Sequence, residues 1–212
     1  SIKDYMEAFH TSQEARQAHD GNMSAAATAV CHSIELANRV VYQLSQDQGQ
    51  YKGMGSTAAV SYLNGDTLIT ANVGDSRIYL IRKGTMEQLS RDHTLLAEQM
   101  RKNPNWDPNL SSMPIKHILV RAVGIQEDVQ ADVYEMQPLP GDLFLMCSDG
   151  LTDMLSDEEI HKLVVEGGAL DEICNKLVQM ANERGGLDNV TVLLFFLRKE
   201  EKGFVKRLFG SW

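Results

Sequence analysis

Two aspartates stand where an apolar, strand-like run meets a turn. Asp149 follows the run at residues 143–147 and is followed at once by Gly150, so its carboxylate is expected at the end of a buried strand. Asp188 precedes a second apolar and β-rich run at residues 190–196. Hard divalent cations prefer oxygen ligands, and carboxylates supply charged oxygens. The two aspartates are therefore predicted to share a divalent metal ion.

The composition of the chain excludes several classes of partner. With 212 residues and 43% apolar content, the chain is long enough for one sizeable core, and a single domain over residues 1–200 is predicted. The 29 acidic side chains outnumber the 20 basic ones, which predicts a surface that repels nucleic acid and anionic membranes. The tail at residues 201–212 is basic and aromatic instead. It is predicted either to dock on a partner or a membrane surface, or to form a short helix packed on the domain.

The residue pattern predicts neither a secretion signal nor a membrane-spanning segment. The N-terminal residues have no apolar signal core, and no apolar run has the length that a bilayer requires. The three cysteines, Cys31, Cys147 and Cys174, lack CxxC spacing and fit a reducing compartment. A cytoplasmic protein without a transmembrane segment is predicted.

The periodicity of apolar residues predicts helices and strands in the order helix, sheet, helix, sheet. Helices are predicted at residues 2–18 and 24–45. An Asn-Gly pair at residues 64–65 predicts a hairpin between strands at 57–63 and 67–73. Hairpins in succession, with helices grouped between them, favour an antiparallel α+β domain in which helices flank two sheets. The other predicted strands are at residues 77–82, 86–89, 129–136, 143–147 and 190–196, and the other predicted helices are at residues 94–100, 156–165 and 170–183.

Six short motifs stand in order along most of the chain. They are GMGST at residues 53–57, ANVGDSR at 71–77, Asp-His at 92–93, LVRAVG at 119–124, CSDGLTD at 147–153 and DNVTV at 188–192. In this order they resemble the bacterial metal-dependent protein serine/threonine phosphatases of type 2C, the PPM family. Six motifs in register are much stronger evidence than any one of them alone. The sporulation stage II type E branch of the same superfamily is an alternative relative.

The resemblance implies an α-β-β-α sandwich of two mainly antiparallel sheets flanked by helices, with a binuclear Mn²⁺ or Mg²⁺ site between the sheets. By resemblance, Asp149 and Asp188 are metal ligands, and Asp92 helps to hold a third ion near a mobile flap at about residues 95–115. Paired ions activate a water for in-line attack on phosphorus, so that no covalent enzyme intermediate is required. The implied substrates are phosphoserine and phosphothreonine in proteins, and the implied partner in signal transduction is a cognate serine/threonine kinase.

The chain departs from the family pattern at its N-terminal end. The family begins with two strands that carry a phosphate-binding arginine, an acidic ligand motif and an Asp-Gly-x-Gly-Gly-His turn, and these motifs do not occur in the sequence. Asp20 begins an Asp-Gly-Asn-Met sequence that superficially resembles this turn, but residues 13–19 before it are polar and helix-like. The sandwich is therefore expected to be N-terminally truncated, with exposed sheet edges that favour a homodimer.

Two functions from different classes are open on the sequence alone. The first is a manganese- or magnesium-dependent phosphoprotein phosphatase that hydrolyses its substrate with a metal-activated water. The second is a catalytically incomplete phosphatase-fold module with a regulatory or binding role, because Asp149 and Asp188 by themselves would make only half of a binuclear site. Manganese-dependent hydrolysis and tight binding of two ions would distinguish the first function from the second.

Other polar residues near the motifs have simpler interpretations. Asp75 is interpreted as a structural residue that fixes a tight turn and forms an ion pair with Arg77. His93 and His117 flank the predicted flap and could meet substrate. A lone histidine is more often hydrogen bonded or solvated than catalytic, so neither is included in the predicted site.

Overall fold

The order of helices and strands follows the sequence prediction closely. The computed structural model describes Met6 and residues 23–47, 49–103 and 117–197. A 3-10 turn at Gly49–Tyr51 follows the first helix. The described elements are α1 (Ala25–Asp47), β1 (Ala58–Asn64), β2 (Thr67–Val73), β3 (Arg77–Arg82), β4 (Thr85–Gln88), α2 (Leu95–Lys102), β5 (Asp132–Met136), β6 (Leu143–Cys147), α3 (Asp149–Thr152), α4 (Asp157–Glu166), α5 (Leu170–Glu183) and β7 (Val192–Phe196).

The described strands form two antiparallel sheets. The first has the order β1-β2-β5, and the second has the order β4-β3-β6-β7. The hairpin between β1 and β2 closes with Asn64 opposite Thr67, and Gly65 takes a φ of +60°. This is the left-handed conformation that an Asn-Gly hairpin turn requires. The α+β class and the arrangement of two antiparallel sheets are therefore confirmed.

Three packed clusters hold the layers together. In the first, Val30 and Ile34 of α1 cover the outer face of β2. In the second, Ile160 of α4 and Leu177 of α5 cover the second sheet. The third cluster lies between the sheets and is formed by Leu68 of β2, Leu80 of β3 and Phe144 of β6. The central strands are thus buried on both faces, which explains why they are continuous apolar runs rather than alternating ones.

Neighbouring residues of β6 pack into different clusters on the two faces of the sheet. Phe144 points into the cluster between the sheets, whereas Leu145 and Cys147 point toward α4 and α5, because successive side chains of a strand face opposite sides. Phe144 also stacks on Phe195 of β7, with 5.2 Å between the ring centroids. The strand that leads to Asp149 is therefore fixed from both sides.

The helix α4 begins with a capping box. Ser156 accepts a hydrogen bond from the backbone N–H of Glu159, and the Glu159 carboxylate accepts one from the N–H of Ser156. This capping box satisfies backbone donors at the helix start. Arg184, at the end of α5, forms an ion pair with Glu159, which joins the two helices over the second sheet.

Several predictions need correction or lie outside the described residues. The Ser-Asp-Gly sequence after β6 was predicted to be a turn, but Asp149 is the first residue of the short helix α3. The strand predicted from residue 129 begins at Asp132. Of the helix predicted at residues 2–18, only Met6 is described, and it is helical and buried. Residues 104–116, which include most of the predicted flap, lie outside the described part, as do Asp20 and the tail at 201–212.

None of the helices in the described part of the chain combines the length and the apolar composition needed to cross a membrane.

Replacement of Phe144 by alanine tests whether the cluster between the sheets stabilises the fold. The side chain is fully buried, so Phe144→Ala is expected to lower the free energy of unfolding by about 3–5 kcal/mol, measured by urea denaturation. Leu139→Ala is the control, because Leu139 is an exposed loop residue, and it should change stability by less than about 1 kcal/mol. Equal effects of the two substitutions would contradict this assignment of the core.

Candidate active site

An open cleft lies where β2 and β6 end. Its volume is about 570 Å³, and its lining includes Asp75, His117, Arg121 and Asp149. Asp75 belongs to the turn after β2, and Asp149 is the first residue of α3, directly after β6. The ends of two central strands, one from each sheet, thus deliver carboxylates to a single cleft. This is the placement that the sequence predicted for Asp149.

A potential metal-ligand cluster forms at the start of α3. One ligand atom each of His117, Asp149 and Asp153 lies within 4.8 Å of the others. Asp149 and Asp153 are one helical turn apart, so both side chains lie on the same face of α3. Nδ1 of His117 is 3.4 Å from Oδ2 of Asp153. The cluster offers oxygen and imidazole donors from two separate parts of the chain.

Asp75 adds a further negative charge near this cluster. Burial, followed by the negative charge of Asp149, raises the pKa of Asp75 above its ordinary value, and Asp92 and Asp153 add to the effect. In the part of the chain that the structure describes, neither Asp75 nor Asp149 forms an ion pair with arginine or lysine. Crowded carboxylates of this kind fit a divalent cation, because hard cations take carboxylate oxygens.

Asp188 lies close to α3, but its carboxylate is placed differently. Its Oδ1 accepts a hydrogen bond from the backbone N–H of Asn189 at 2.6 Å. The hydroxyl of Ser148 donates to the carbonyl of Asn189 and accepts from the N–H of Thr191. A Cβ on Gly150 would lie 2.4 Å from the carbonyl oxygen of Asn189. The backbone at Asp188 therefore packs against α3, whereas the cluster of ligand atoms does not include its side chain.

Asp92 lies in an ion pair behind the cleft. Its two carboxylate oxygens accept hydrogen bonds from the guanidinium of Arg77, at 3.0 Å from Nε to Oδ1 and 2.7 Å from Nη2 to Oδ2. Gln88 donates a further bond to Oδ1, and Arg77 also pairs with Asp157 of α4. The predicted ion pair between Asp75 and Arg77 is therefore wrong. Metal ligation by Asp92 stays a prediction, since it would have to compete with Arg77.

His93 fixes the turn that carries Asp75. The backbone N–H of Gly74 donates to Nδ1 of His93 at 3.0 Å, and the N–H of His93 donates to the carbonyl of Gly74. Nε2 of His93 lies 3.0 Å from Nη1 of Arg121 and 3.4 Å from Oδ2 of Asp132. Burial, followed by the charge of Arg121, lowers the pKa of His93. His93 is thus a hydrogen-bonded structural residue, as the simpler interpretation predicted.

Sequence reasoning missed the residue that anchors the far wall of the cleft. Asn38 of α1 is fully buried, accepts a hydrogen bond from the N–H of Gly124 at 2.7 Å, and donates to the carbonyls of residues 126 and 127. Gly124 has a φ of +88°, and a Cβ there would lie 2.2 Å from the Val41 side chain. The one sequence feature that could have indicated the role of Asn38 is its position on the apolar face of a predicted helix.

The cleft, with its clustered carboxylates at the ends of two sheets, defines a candidate metal-dependent hydrolase. Comparison with known families agrees: the profile for Protein phosphatase 2C matches residues 10–99, and the profile for Stage II sporulation protein E (SpoIIE) matches residues 113–197. The protein phosphatase PhpP of Streptococcus pneumoniae serotype 2 is 36% identical over 170 residues, which cover 80% of this chain and 69% of that protein. The serine/threonine phosphatase stp of Listeria innocua is 33% identical, with 81% of this chain and 68% of that protein covered.

Solved structures give the same result. The serine/threonine phosphatase of S. agalactiae superposes with a TM-score of 0.72 at 37% identity, over 79% of this chain and 69% of that chain. The serine/threonine phosphatase Stp1 of Staphylococcus aureus superposes with a TM-score of 0.77 at 26% identity, over 93% and 76% of the two chains. The chain therefore belongs to the protein phosphatase 2C family, whose members are metal-dependent protein serine/threonine phosphatases. The comparisons do not favour the alternative of a non-catalytic module.

Replacement of Gly150 by alanine tests the packing of the Asp188 segment against α3. The added Cβ would meet backbone rather than a flexible side chain, so Gly150→Ala is expected to cost about 1–3 kcal/mol of stability and to weaken Mn²⁺ binding measured by calorimetry. Gly49→Ala is the matched control, because no atom lies within 4 Å of a Cβ at that position. Unchanged stability and metal affinity in both variants would contradict the close approach.

Replacement of Asp92 by asparagine separates its ion-pair role from metal ligation. The loss of its charge leaves Asp157 as the one described carboxylate paired with Arg77, so we expect a loss of about 1–3 kcal/mol in thermal or urea unfolding. The number of Mn²⁺ ions bound is measured on the same sample. Loss of one ion would support ligation by Asp92, and an unchanged number would restrict Asp92 to the ion pair.

Proposed function

We propose that this phosphatase acts on phosphoserine and phosphothreonine in proteins at a divalent-metal centre of which Asp149 is the central ligand. The observation that carries the proposal is the crowding of carboxylates in the cleft. Asp149 and Asp153 share one face of α3 with His117 beside them, and burial, followed by the charge of Asp149, raises the pKa of Asp75. A cluster of like charges is costly unless a cation balances it. The ligand set predicted from sequence, Asp149 and Asp188 with Asp92 at a third ion, is extended here by Asp153 and Asp75.

The residues of the chain would hold such a centre rigidly. Asp149 is fixed by the strand before it and by the helix that it begins, and the loop of Asp188 is tied to Ser148 by three hydrogen bonds. Divalent ions bound there would supply Lewis-acid polarisation of a phosphoryl oxygen and would lower the pKa of water. Arg121, which lines the same cleft, pairs with Asp132 at 2.7 Å and orders the wall opposite α3.

We further propose Mn²⁺ or Mg²⁺ as the resident ions. Support comes from the phosphatase PstP, which was solved in complex with two manganese ions and superposes with a TM-score of 0.67 at 25% identity, over 91% of this chain and 79% of that chain. A phosphoprotein substrate must be produced by a kinase, so a cognate serine/threonine kinase and a role in signal transduction follow as proposals. A cytoplasmic location stays a prediction.

A homodimer is proposed from the sheet edges. In the described part of the chain, β1 and β5 end the first sheet, and β4 and β7 end the second. Edge strands present unpaired backbone groups that can pair with a second copy. The exposed side chains of Leu63 on β1 and Leu193 on β7 add apolar surface at these edges.

Hydrolysis of a phosphothreonine peptide with and without Mn²⁺ tests the proposed centre. Asp149→Asn is expected to reduce kcat/KM by at least about 100-fold, because metal polarisation contributes several kcal/mol and about 1.4 kcal/mol corresponds to a tenfold change in rate. Asp66→Asn, in the exposed turn between β1 and β2, is the control and should keep full activity. Turnover that persists after chelation of metal, or in Asp149→Asn, would refute the proposed centre.

A further inference from the structure

His117 stands at the cleft on a segment that is fixed to the rest of the fold. The N–H of Leu95 donates to the carbonyl of Ile118 at 2.8 Å, and the N–H of Val120 donates to the carbonyl of His93 at 2.9 Å. Leu119 forms an isolated bridge with Thr94. These bonds hold the backbone next to His117 against the start of α2. The imidazole is therefore not carried by a freely moving surface loop.

The imidazole faces carboxylates from α3. Its Nδ1 lies 3.4 Å from Oδ2 of Asp153, and a ligand atom of Asp149 completes a group within 4.8 Å. An ion pair with Asp153 alone would be worth little, because the His117 side chain is 55% exposed and solvent screens the pair. That pair would also leave Asp149 without an arginine or lysine partner in the described part of the chain. A metal ion placed among the three ligand atoms would be within reach of all of them.

We propose that His117 is a ligand of the divalent ion bound by Asp149 and Asp153. This inference rests on the metal centre proposed above and goes beyond it, because it adds a nitrogen ligand from outside the strand ends that deliver the carboxylates. The ion would then connect α3 to the backbone segment at residues 117–121. Backbone hydrogen bonds already hold that segment against the start of α2, and metal binding would join it to α3 as well.

A nitrogen ligand has consequences for the choice of metal. Mg²⁺ binds almost entirely through oxygen, whereas imidazole is a good ligand for transition-metal ions. The mixed donor set is therefore accepted more readily by Mn²⁺ than by Mg²⁺, and it would favour Fe²⁺ or Zn²⁺ more strongly still. A centre built only from the carboxylates of Asp75, Asp149 and Asp153 would lack this preference.

The proposal is tested by pulsed electron paramagnetic resonance of Mn²⁺ bound to the full chain, together with calorimetric titration of Mn²⁺ and Mg²⁺. A coordinated imidazole gives a ¹⁴N modulation in the Mn²⁺ signal. We expect this modulation in the wild-type chain and its loss in His117→Ala, with Mn²⁺ affinity at least about tenfold weaker and Mg²⁺ affinity unchanged. His117→Gln should behave like His117→Ala in the resonance experiment, and thermal unfolding confirms that both variants fold.

His32→Ala is the matched control, because His32 is an exposed histidine of α1 outside this cleft. It should keep both the ¹⁴N modulation and the Mn²⁺ affinity. Mn²⁺ binding that depends on Asp149 but shows no ¹⁴N modulation, or that is unchanged in His117→Ala, would overturn the role of His117 and leave the metal centre standing. No Mn²⁺ binding to the wild-type chain would overturn the centre and the inference together.

Discussion

Electrostatic repulsion among carboxylates is the constraint around which this end of the molecule is built. Asp75 comes from the turn after β2, whereas Asp149 and Asp153 lie at the two ends of α3. Burial, followed by the negative charge of Asp149, raises the pKa of Asp75, and like charges held close together raise one another's energy when all are ionised. Without a bound cation, such a group would lower the stability of the fold. The surrounding structure must therefore hold each carboxylate in place by interactions that do not involve its charge. Backbone hydrogen bonds and apolar packing have that role here.

Each carboxylate is held through its neighbours along the chain. The turn of Asp75 is fixed by two hydrogen bonds between Gly74 and His93. Asp149 follows a strand whose central residues are completely buried, and Ser148 before it joins the backbone to the loop of Asp188. These bonds are short-range and uncharged, so they persist whether or not the carboxylates are neutralised. The geometry of the centre is thus largely formed before any ion binds, which reduces the cost of ordering ligands on binding.

A second group of charges lies behind the cleft and is held in ion pairs. Arg77 donates to Asp92 and Asp157 and to the hydroxyl of Tyr79, which itself donates to Asp157 at 2.8 Å. This network joins β3, the segment after β4 and the first turn of α4. Because its charges have partners, it contributes a rigid support rather than an attraction for metal. The aspartates behind the cleft pair with Arg77, whereas those within the cleft lie close to other carboxylates.

Features that depend on local sequence signals could be predicted, whereas contacts between residues distant along the chain could not. Strands such as β2, β3 and β6 were predicted to the residue, because hairpins and apolar runs are local signals. The position of Asp149 followed from the end of β6. The partner of Arg77 did not follow, because its guanidinium reaches across to residues that are distant along the chain instead of the nearby Asp75. The helix α3 was missed because four residues show no helical period.

His117 illustrates the limit of sequence reasoning most clearly. A lone histidine has no local sequence pattern that separates a metal ligand from a solvated side chain. Most lone histidines are hydrogen bonded or solvated. The role of His117 depends on its closeness to Asp149 and Asp153. The pairing of residues 118–120 with residues 93–95 places it there. That pairing is a tertiary contact without a sequence period. A functional role for this residue can therefore be inferred only once the carboxylates that it faces are known, and the chemistry of the centre then depends on whether nitrogen or oxygen completes it.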